Sequence, residues 1–342
     1  MSLKNNDFLV ITLPSKGSLE KSTLEFMDKS GLKVHRPNKR QYEANIEGHE
    51  QIRVLFQKAD DIPDKVREGS ADLGITGLDL QKECQVEEDK VIVIAENLGY
   101  GKCELMLAVS DDQIDITSVS DLADLSVAWH EHNNNLRVAT RFPNLTRVFL
   151  GSHGVRYFIL VQSHGALEMA PRMGYADVIS DIVETGTTLR ENRLKTIKNG
   201  TILSSSACLI ANKDNLKESD EKLRMAGIVI EALESSIRAK RFFSVVANIG
   251  GENEKKIFES IMKDAEVVGM KGPTISKVLR SQEKDFKEWF AINVVIEEKN
   301  LSKTVEHIRK KGGTDILVFP IEYIFNSKSE WYEELKEELK KK

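Results

Sequence analysis

The sequence predicts an α/β protein built as two lobes, with a small ferredoxin-like unit at its C-terminal end. Three observations carry that reading. From residue 8 to residue 211, short runs rich in Leu, Ile and Val alternate with amphipathic segments and glycine turns. That alternation builds sheets with helices on their faces. Glycines in Gly99-Tyr-Gly-Lys-Cys103 and an apolar strand over residues 207–211 mark places where the chain crosses between lobes, leaving a hinge-like cleft floor. From Arg241 the order becomes strand, helix, strand, strand, helix, strand, a ferredoxin-like unit too short for most active sites and suited to regulation or assembly.

Bulk properties narrow the class. The 342 residues leave room for two or three domains, and 40% apolar with 30% charged residues is ordinary for a soluble globular chain. A net charge of −5 argues against a general nucleic-acid binder but leaves room for a local basic pocket. Cys84, Cys103 and Cys208 are few, odd in number and far apart, which argues against disulfides and structural zinc and favours a reducing compartment. No signal peptide or membrane span is expected, because no long apolar stretch exists. The expected location is the cytoplasm, or a plastid if a transit segment has been removed.

Taken in order, residues 8–13 read as a buried strand, 14–18 as a loop and 19–30 as a helix stopped by Gly31. Lys16 and Gly17 fall at the strand's carboxyl end, where open α/β sheets hold ligands, although a solvated loop lysine is the ordinary reading. Residues 53–57 form a strand, and Pro63 with the acids around it opens a helix that Gly69 ends. Strands follow at 71–77, 91–95 and 104–109. Cys103 has no paired histidine nearby and reads as a small buried thiol. The second lobe spans 104–195, with a short helix at 121–125, a polar insertion at 130–135, a strand at 136–140, a helix over 141–150, a strand at 157–161 and a helix over 165–173. His130 and His132 lack a further ligand cluster, so no metal site is expected there.

The stretch from Ala176 to Leu189 then runs from a β-branched strand into Thr185-Gly186-Thr187-Thr188. A strand ending in a Gly/Thr turn at a helix start is a phosphate cradle, with backbone N–H groups and hydroxyls as donors. A plain strand, turn and N-cap threonine is the alternative. Acids beside the loop (Asp177, Asp181, Glu184) suit sugar hydroxyls or a magnesium ion shared with phosphates. Strand alternation puts Asp177 and Asp181 on one face, so at least one of them is structural or distant from the ligand. Residues 1–103 with 196–222 make the first lobe, 223–240 a connector helix, 241–326 the ferredoxin-like unit and 327–342 a charged, solvated tail.

The ordered set Pro14-Ser-Lys-Gly, Ala59-Asp-Asp-Ile-Pro, Asp72-Leu-Gly-Ile-Thr-Gly-Leu-Asp, Gly99-Tyr-Gly-Lys-Cys, Pro143-Asn-Leu-Thr-Arg, Gly165-Ala-Leu-Glu-Met-Ala-Pro, the Ala176 to Leu189 stretch and Gly272-Pro-Thr-Ile-Ser resembles the long form of ATP phosphoribosyltransferase, the first enzyme of histidine biosynthesis, across residues 8–326. Arg40-Gln-Tyr and Gly165-Ala-Leu-Glu are similar to its plant-like branch.

The resemblance implies periplasmic-binding-protein-like lobes and an ACT-like C-terminal domain. It implies that ATP and phosphoribosyl pyrophosphate (PRPP) meet with Mg2+ in the cleft, where adenine N1 attacks the ribose C1 with inversion and pyrophosphate leaves. No protein nucleophile is then required, and positioning and electrostatics do the work. On that reading Thr185, Gly186, Thr187 and Thr188 hold the 5′-phosphate, while Asp177, Asp181 and Glu184 serve ribose hydroxyls, with Asp177 and Asp181 as metal candidates. Lys16, Gly17, Arg53, Lys102 and Arg141 serve the other phosphates, Tyr100 stacks on adenine and Glu168 orients a ligand. Ser18 stands where many members carry arginine, so a contact made by that arginine has no counterpart here. The resemblance further implies a homo-oligomer, dimer or hexamer, inhibited by histidine near Asn248, Thr274 and Gly313. The rival readings are a two-lobed solute-binding protein, a histidine sensor without turnover, and a phosphoribosyltransferase acting on another base.

Overall fold

The opening apolar run forms β1 (Leu9–Pro14), and Gly17, at φ +82°, lets α1 (Gly17–Lys29) follow almost at once. The computed structural model describes residues 8–38, 40–85, 90–163, 165–261, 272–279 and 288–341. Gly31, in the left-handed region at φ +74°, stops the helix as the sequence predicts. Then come β2 (Val34–His35), β3 (Glu43–Ile46), β4 (His49–Gln57), α2 (Ile62–Arg67), β5 (Leu73–Gly77), α3 (Leu78–Glu83) and β6 (Val91–Ala95). The strands β2 and β3 lack a long apolar run and were not expected.

The chain crosses to a second sheet at β7 (Cys103–Ser110), followed by α4 (Val119–Glu131), β8 (Leu136–Thr140), α5 (Pro143–Ser152), β9 (Phe158–Gln162), β10 (Val178–Val183), α6 (Thr187–Glu191) and β11 (Leu194–Ser205). It returns at β12 (Ala207–Asn212) and continues into α7 (Lys213–Glu218) and α8 (Asp220–Ala239). The strand orders are β2-β3-β4-β1-β5-β12-β6 and β11-β7-β10-β8-β9. Two α/β sheets joined by a double crossing give the expected pair of lobes.

Several expectations change in the second lobe. The helix expected at 121–125 is the longer α4, because a capping box starts it: Ser118 Oγ accepts from Asp121 N–H, and the Asp121 carboxylate accepts the N–H groups of Thr117 and Ser118. His130 and His132 therefore sit on the last turn of α4 and at its cap, not in a loop, and the His130 ring stacks 3.7 Å from Tyr157. The helix expected over 165–173 shrinks to a 3-10 turn at Leu167–Met169, entered through Ala166 at φ +43°. Pro171, which has no N–H, argues against a longer helix. Residues 196–205 pair with β7 from Ala108 to Cys103, so they belong to the second sheet rather than the first lobe, and only Ser206 separates β11 from β12.

By contact the chain forms two compact units, Met1–Asp28 with Lys33–Ile228 and Trp331–Lys342, and Lys29–Leu32 with Val229–Glu330. Both sheets described so far lie in the first. The second unit carries β13 (Phe242–Gly251), α9 (Glu254–Ile261), β14 (Thr274–Lys277), β15 (Glu288–Glu297), α10 (Leu301–Lys310) and β16 (Gly313–Pro320) in sheet order β14-β15-β13-β16. This is the expected βαββαβ order. Alternate residues Val245, Ala247 and Ile249 with Phe290, Ile292, Val294 and Ile296 face Ile257, Ile261 and Ile308 from the helices. Residues 262–264, expected to end the first helix, lie outside the described residues. The last strand begins at Gly313 rather than at residue 316, because Gly313 and Thr314 already pair with Ile249 and Asn248 of β13.

The tail forms α11 (Glu330–Lys340), which is not fully solvated as expected: Leu335 is 2% exposed and Leu339 8%. Leu335 and Trp331 line a cavity of about 480 Å³ with Val91–Ile94 of β6. Burying Leu335 contributes about 2 kcal/mol.

Candidate active site

Strand β10 delivers the Gly/Thr loop. Val178, Ile179 and Ser180 are buried, Asp181 to Val183 are half-buried, and Glu184 and Thr185 are exposed. Gly186 takes φ +71°, which turns the chain sharply into α6 with Thr187 and Thr188 in its first turn. Thr185 Oγ1 donates to Thr187 Oγ1 at 3.1 Å, and Arg190 Nη2 donates to the same oxygen at 3.4 Å. Hydroxyls, tight-turn amides and a guanidinium thus gather at one exposed loop, a donor set for a phosphate.

The loop opens on a cavity of about 310 Å³ that also holds Arg141, Glu168 and Asp181. Arg141 Nη2 donates to Asp181 Oδ1 at 3.5 Å, and the Ile182 N–H donates to the same oxygen at 2.9 Å. Burial raises the Asp181 carboxyl above the usual carboxylate range. The Ile182 N–H and Arg141 oppose that rise, and Glu168 adds to it. The segment bearing Arg141 is pinned from below by a buried hydroxyl chain that the sequence reading missed. The Phe142 N–H donates to Thr140 Oγ1 at 2.9 Å, Thr140 meets Thr146 at 3.3 Å, and Thr146 meets Ser180 at 2.8 Å. Buried polar residues on neighbouring strand and helix starts were its only trace in the sequence.

The same loop faces a larger cavity of about 710 Å³, lined by Lys102, Glu184, Thr185 and Gly186, by Leu78 from the first lobe and by Ser205 and Ser206 at the crossing. Cys103 also lines it. Burial, with Asp79 adding, pushes its thiol up to about 11, so at neutral pH it is protonated and a poor nucleophile.

Other predicted residues fall elsewhere. Asp177 sits before β10, at the end away from the loop and about 20 Å from it along the strand. Its carboxylate accepts from Arg137 N–H at 2.9 Å, Nε at 3.1 Å and Nη2 at 2.7 Å, so it is a structural clamp rather than a ribose or metal ligand. Tyr100 is not a free stacking platform. Its hydroxyl pairs with Thr23 Oγ1 at 2.9 Å, its ring lies 5.3 Å from Phe26, and burial raises its phenol pKa. Arg53 lies within β4 with its guanidinium 3.7 Å over the Phe8 ring, an arrangement for packing rather than phosphate binding. Lys16 and Gly17 are exposed after β1, which runs parallel to β5, so they share the sheet edge that presents Leu78 to the cleft.

In the second unit, Asn248 Nδ2 donates to Asp315 Oδ2 at 3.2 Å, and Gly313 pairs with the adjacent Ile249. Thr274 begins the edge strand β14, two strands from β13, so it does not meet the other two within one unit.

Among the described residues, no three of His, Cys, Asp and Glu gather into a metal cage. Asp181, Glu168 and Glu184 line the cavity of about 310 Å³ beside the Gly/Thr loop instead. That donor set fits an ion held by one or two carboxylates, with substrate phosphates and water completing the shell.

The fold and this loop define a two-lobed α/β protein in whose cleft hydroxyls, turn amides and a guanidinium gather beside acidic side chains. A family model described as ATP phosphoribosyltransferase matches residues 58–235, and one described as HisG, C-terminal domain, matches residues 239–323. The chain is 36% identical to ATP phosphoribosyltransferase 2, chloroplastic, of Arabidopsis thaliana, over 98% of this chain and 81% of that protein. It is 35% identical to ATP phosphoribosyltransferase of Methanococcus maripaludis, over 92% of this chain and 99% of that one. The ATP phosphoribosyl transferase (HisG:HisZ) complex from Thermotoga maritima aligns at a TM-score of 0.50 and 25% identity, over 66% of this chain and 99% of that chain. The chain belongs to the ATP phosphoribosyltransferase family, and its activity is the first step of histidine biosynthesis. The family requires a divalent metal. The two Arabidopsis relatives are chloroplastic, and no helix among the described residues is long and apolar enough to cross a membrane.

Proposed function

We propose that the cleft joins ATP to PRPP, with the PRPP 5′-phosphate seated in Thr185-Gly186-Thr187-Thr188. The observation that carries this reading is the single loop facing two cavities, one with Arg141 and Asp181 and the other with Lys102. The loop holds the phosphate, Asp181 or Glu184 accepts from ribose hydroxyls, and Arg141 and Lys102 attract the pyrophosphate. Adenine N1 is the nucleophile, so the protonated Cys103 takes no covalent part. Lys16 and Gly17, on the first lobe's cleft edge, suit the ATP phosphates. Glu168 orients the group that Asp181 binds.

Asp181 and Glu184 are the carboxylates that would hold Mg2+, which would supply positive charge against the pyrophosphate. The chain's own residues position C1 against N1 and exclude water, which is where most of the rate enhancement arises.

Histidine inhibits through the second unit. Asn248 and Gly313 on one copy and Thr274 on another would complete a site between two such units, which makes the active form a homo-oligomer, dimer or hexamer. The location is the cytoplasm or a plastid stroma, both reducing compartments that suit three free cysteines.

The decisive experiment replaces Thr187 and Thr188 with Ala in the full chain. PRPP affinity is expected to fall by about a hundredfold or more while ATP affinity stays within about threefold. Equal loss of both in a folded protein sinks the loop assignment. A histidine titration of phosphoribosyl-ATP formation, repeated with Thr274→Ala, tests the regulatory reading; an unchanged inhibition curve counts against it.

A further inference from the structure

Glu83, the last residue of α3, belongs to the first lobe but reaches into the second. Its Oε1 accepts the Asn144 N–H at 2.8 Å, its Oε2 accepts the Leu145 N–H at 3.0 Å, and its backbone carbonyl accepts Asn144 Nδ2 at 3.0 Å. These amides belong to the first turn of α5, a ten-residue helix with no acid of its own there and no side-chain cap from Phe142. A carboxylate from the opposite lobe therefore does the capping. It is drawn far enough from water that burial raises its pKa, against the lowering pull of the two N–H bonds.

The other end of α3 is fastened as well. Asp79, 7% exposed, accepts the Ser205 hydroxyl at 2.6 Å, while its own N–H donates to Ser205 Oγ at 3.0 Å. Ser205 ends β11 opposite Cys103, where both crossings between the lobes meet. Gly77 leaves room for this clasp, since a Cβ there would stand 2.4 Å from Asp79 Oδ1. The short helix thus spans from the hinge to α5, and Arg141 lies just ahead of Pro143, where α5 begins.

We propose that α3 is an inter-lobe strut and Glu83 a positioning residue: by holding the start of α5, it sets where Arg141 stands against the phosphate loop when both substrates are bound. Glu83 touches no substrate. It acts through the backbone of Asn144 and Leu145, and Asp79 anchors the strut at the hinge. The proposal rests on the loop assignment above but adds a residue from the other lobe to it.

The test compares full-length Glu83→Ala and Glu83→Gln with the parent for kcat, PRPP affinity, and amide exchange at Asn144 and Leu145. Losing two charge-assisted hydrogen bonds across the cleft should lower kcat in Glu83→Ala by about ten- to a hundredfold. PRPP affinity should fall clearly less than kcat, because the Gly/Thr loop lies wholly in the second lobe and keeps its own hold on the substrate. Exchange at the two amides should accelerate, and Glu83→Gln, which keeps one acceptor, should fall between. A folded Glu83→Ala with kcat within about twofold of the parent overturns the strut, and so does a parallel fall of kcat and PRPP affinity. If Glu83→Ala does not fold, the same split in Glu83→Gln decides. The double alanine variant of Thr187 and Thr188, run alongside, separates the two ideas. Parent-like PRPP affinity in it would sink the loop assignment, and the strut would then be judged on kcat and exchange.

Discussion

Two Arg–Asp pairs sit at opposite ends of the same two strands, and they do different things. Arg137 and Asp177 join β8 to β10 at the ends away from the cleft, Arg141 and Asp181 at the ends facing it. Residue types and spacing match. The first pair is closed, with the Asp177 carboxylate taking three N–H donors at 3.1 Å or less. The second is a single 3.5 Å contact on the wall of a cavity, and its guanidinium is free to turn toward a ligand. A pair already satisfied holds the sheet; a pair left half-made is available for chemistry.

Breaking the open pair should have the largest effect on rate. Arg141→Ala should cost about a hundredfold in kcat/KM, about 2.7 kcal/mol of transition-state stabilisation. Its Tm should stay within about 2 °C, as read by calorimetry. A stability loss without a rate loss would reverse the roles assigned to the two ends. Breaking the closed pair should do the opposite: Asp177→Ala should lower unfolding free energy by about 1–3 kcal/mol, by urea denaturation, with kcat almost unchanged.

Strand alternation puts Asp177 and Asp181 on one face and cannot tell them apart; their partners, forty positions earlier, do. The site was legible where chemistry is local, as in the Gly/Thr loop. It was obscure where a distant neighbour decides, as for Tyr100, whose ring is claimed by Phe26 and Thr23, and for Arg53, claimed by Phe8. The fold followed the same rule. The strand β12, buried along its whole length, announces itself by the unbroken apolar run from Ala207 to Ala211. The small β2–β3 pair has no such run, and α11 hides two buried leucines among many charges.

A smaller effect sharpens the comparison through pH. Burial raises the Asp181 pKa in the folded state, so folding favours the protonated acid and stability falls as pH rises through the folded pKa. Asp181→Asn should therefore raise Tm at neutral pH, while lowering kcat. The gain should vanish below about pH 3.9, where the unfolded carboxyl is also protonated. A Tm gain that persisted at acid pH would argue against titration as its cause. The smallest change expected is in Arg137→Lys, which loses the two-pronged grip on Asp177 and should cost about 1 kcal/mol in denaturation. A wholly neutral result would mean that one donor holds the clamp.

The place of β12 between β5 and β6 has a consequence for the chain as it is made. β6 leaves the ribosome as a bare apolar strand, and its only partner among the described strands follows more than a hundred residues later, after the whole second lobe. At cellular synthesis rates that delay is on the order of ten seconds. The first lobe's edge is thus completed only once the second lobe has been synthesised, and for that interval Val91 to Ala95 waits without the strand that will cover its backbone.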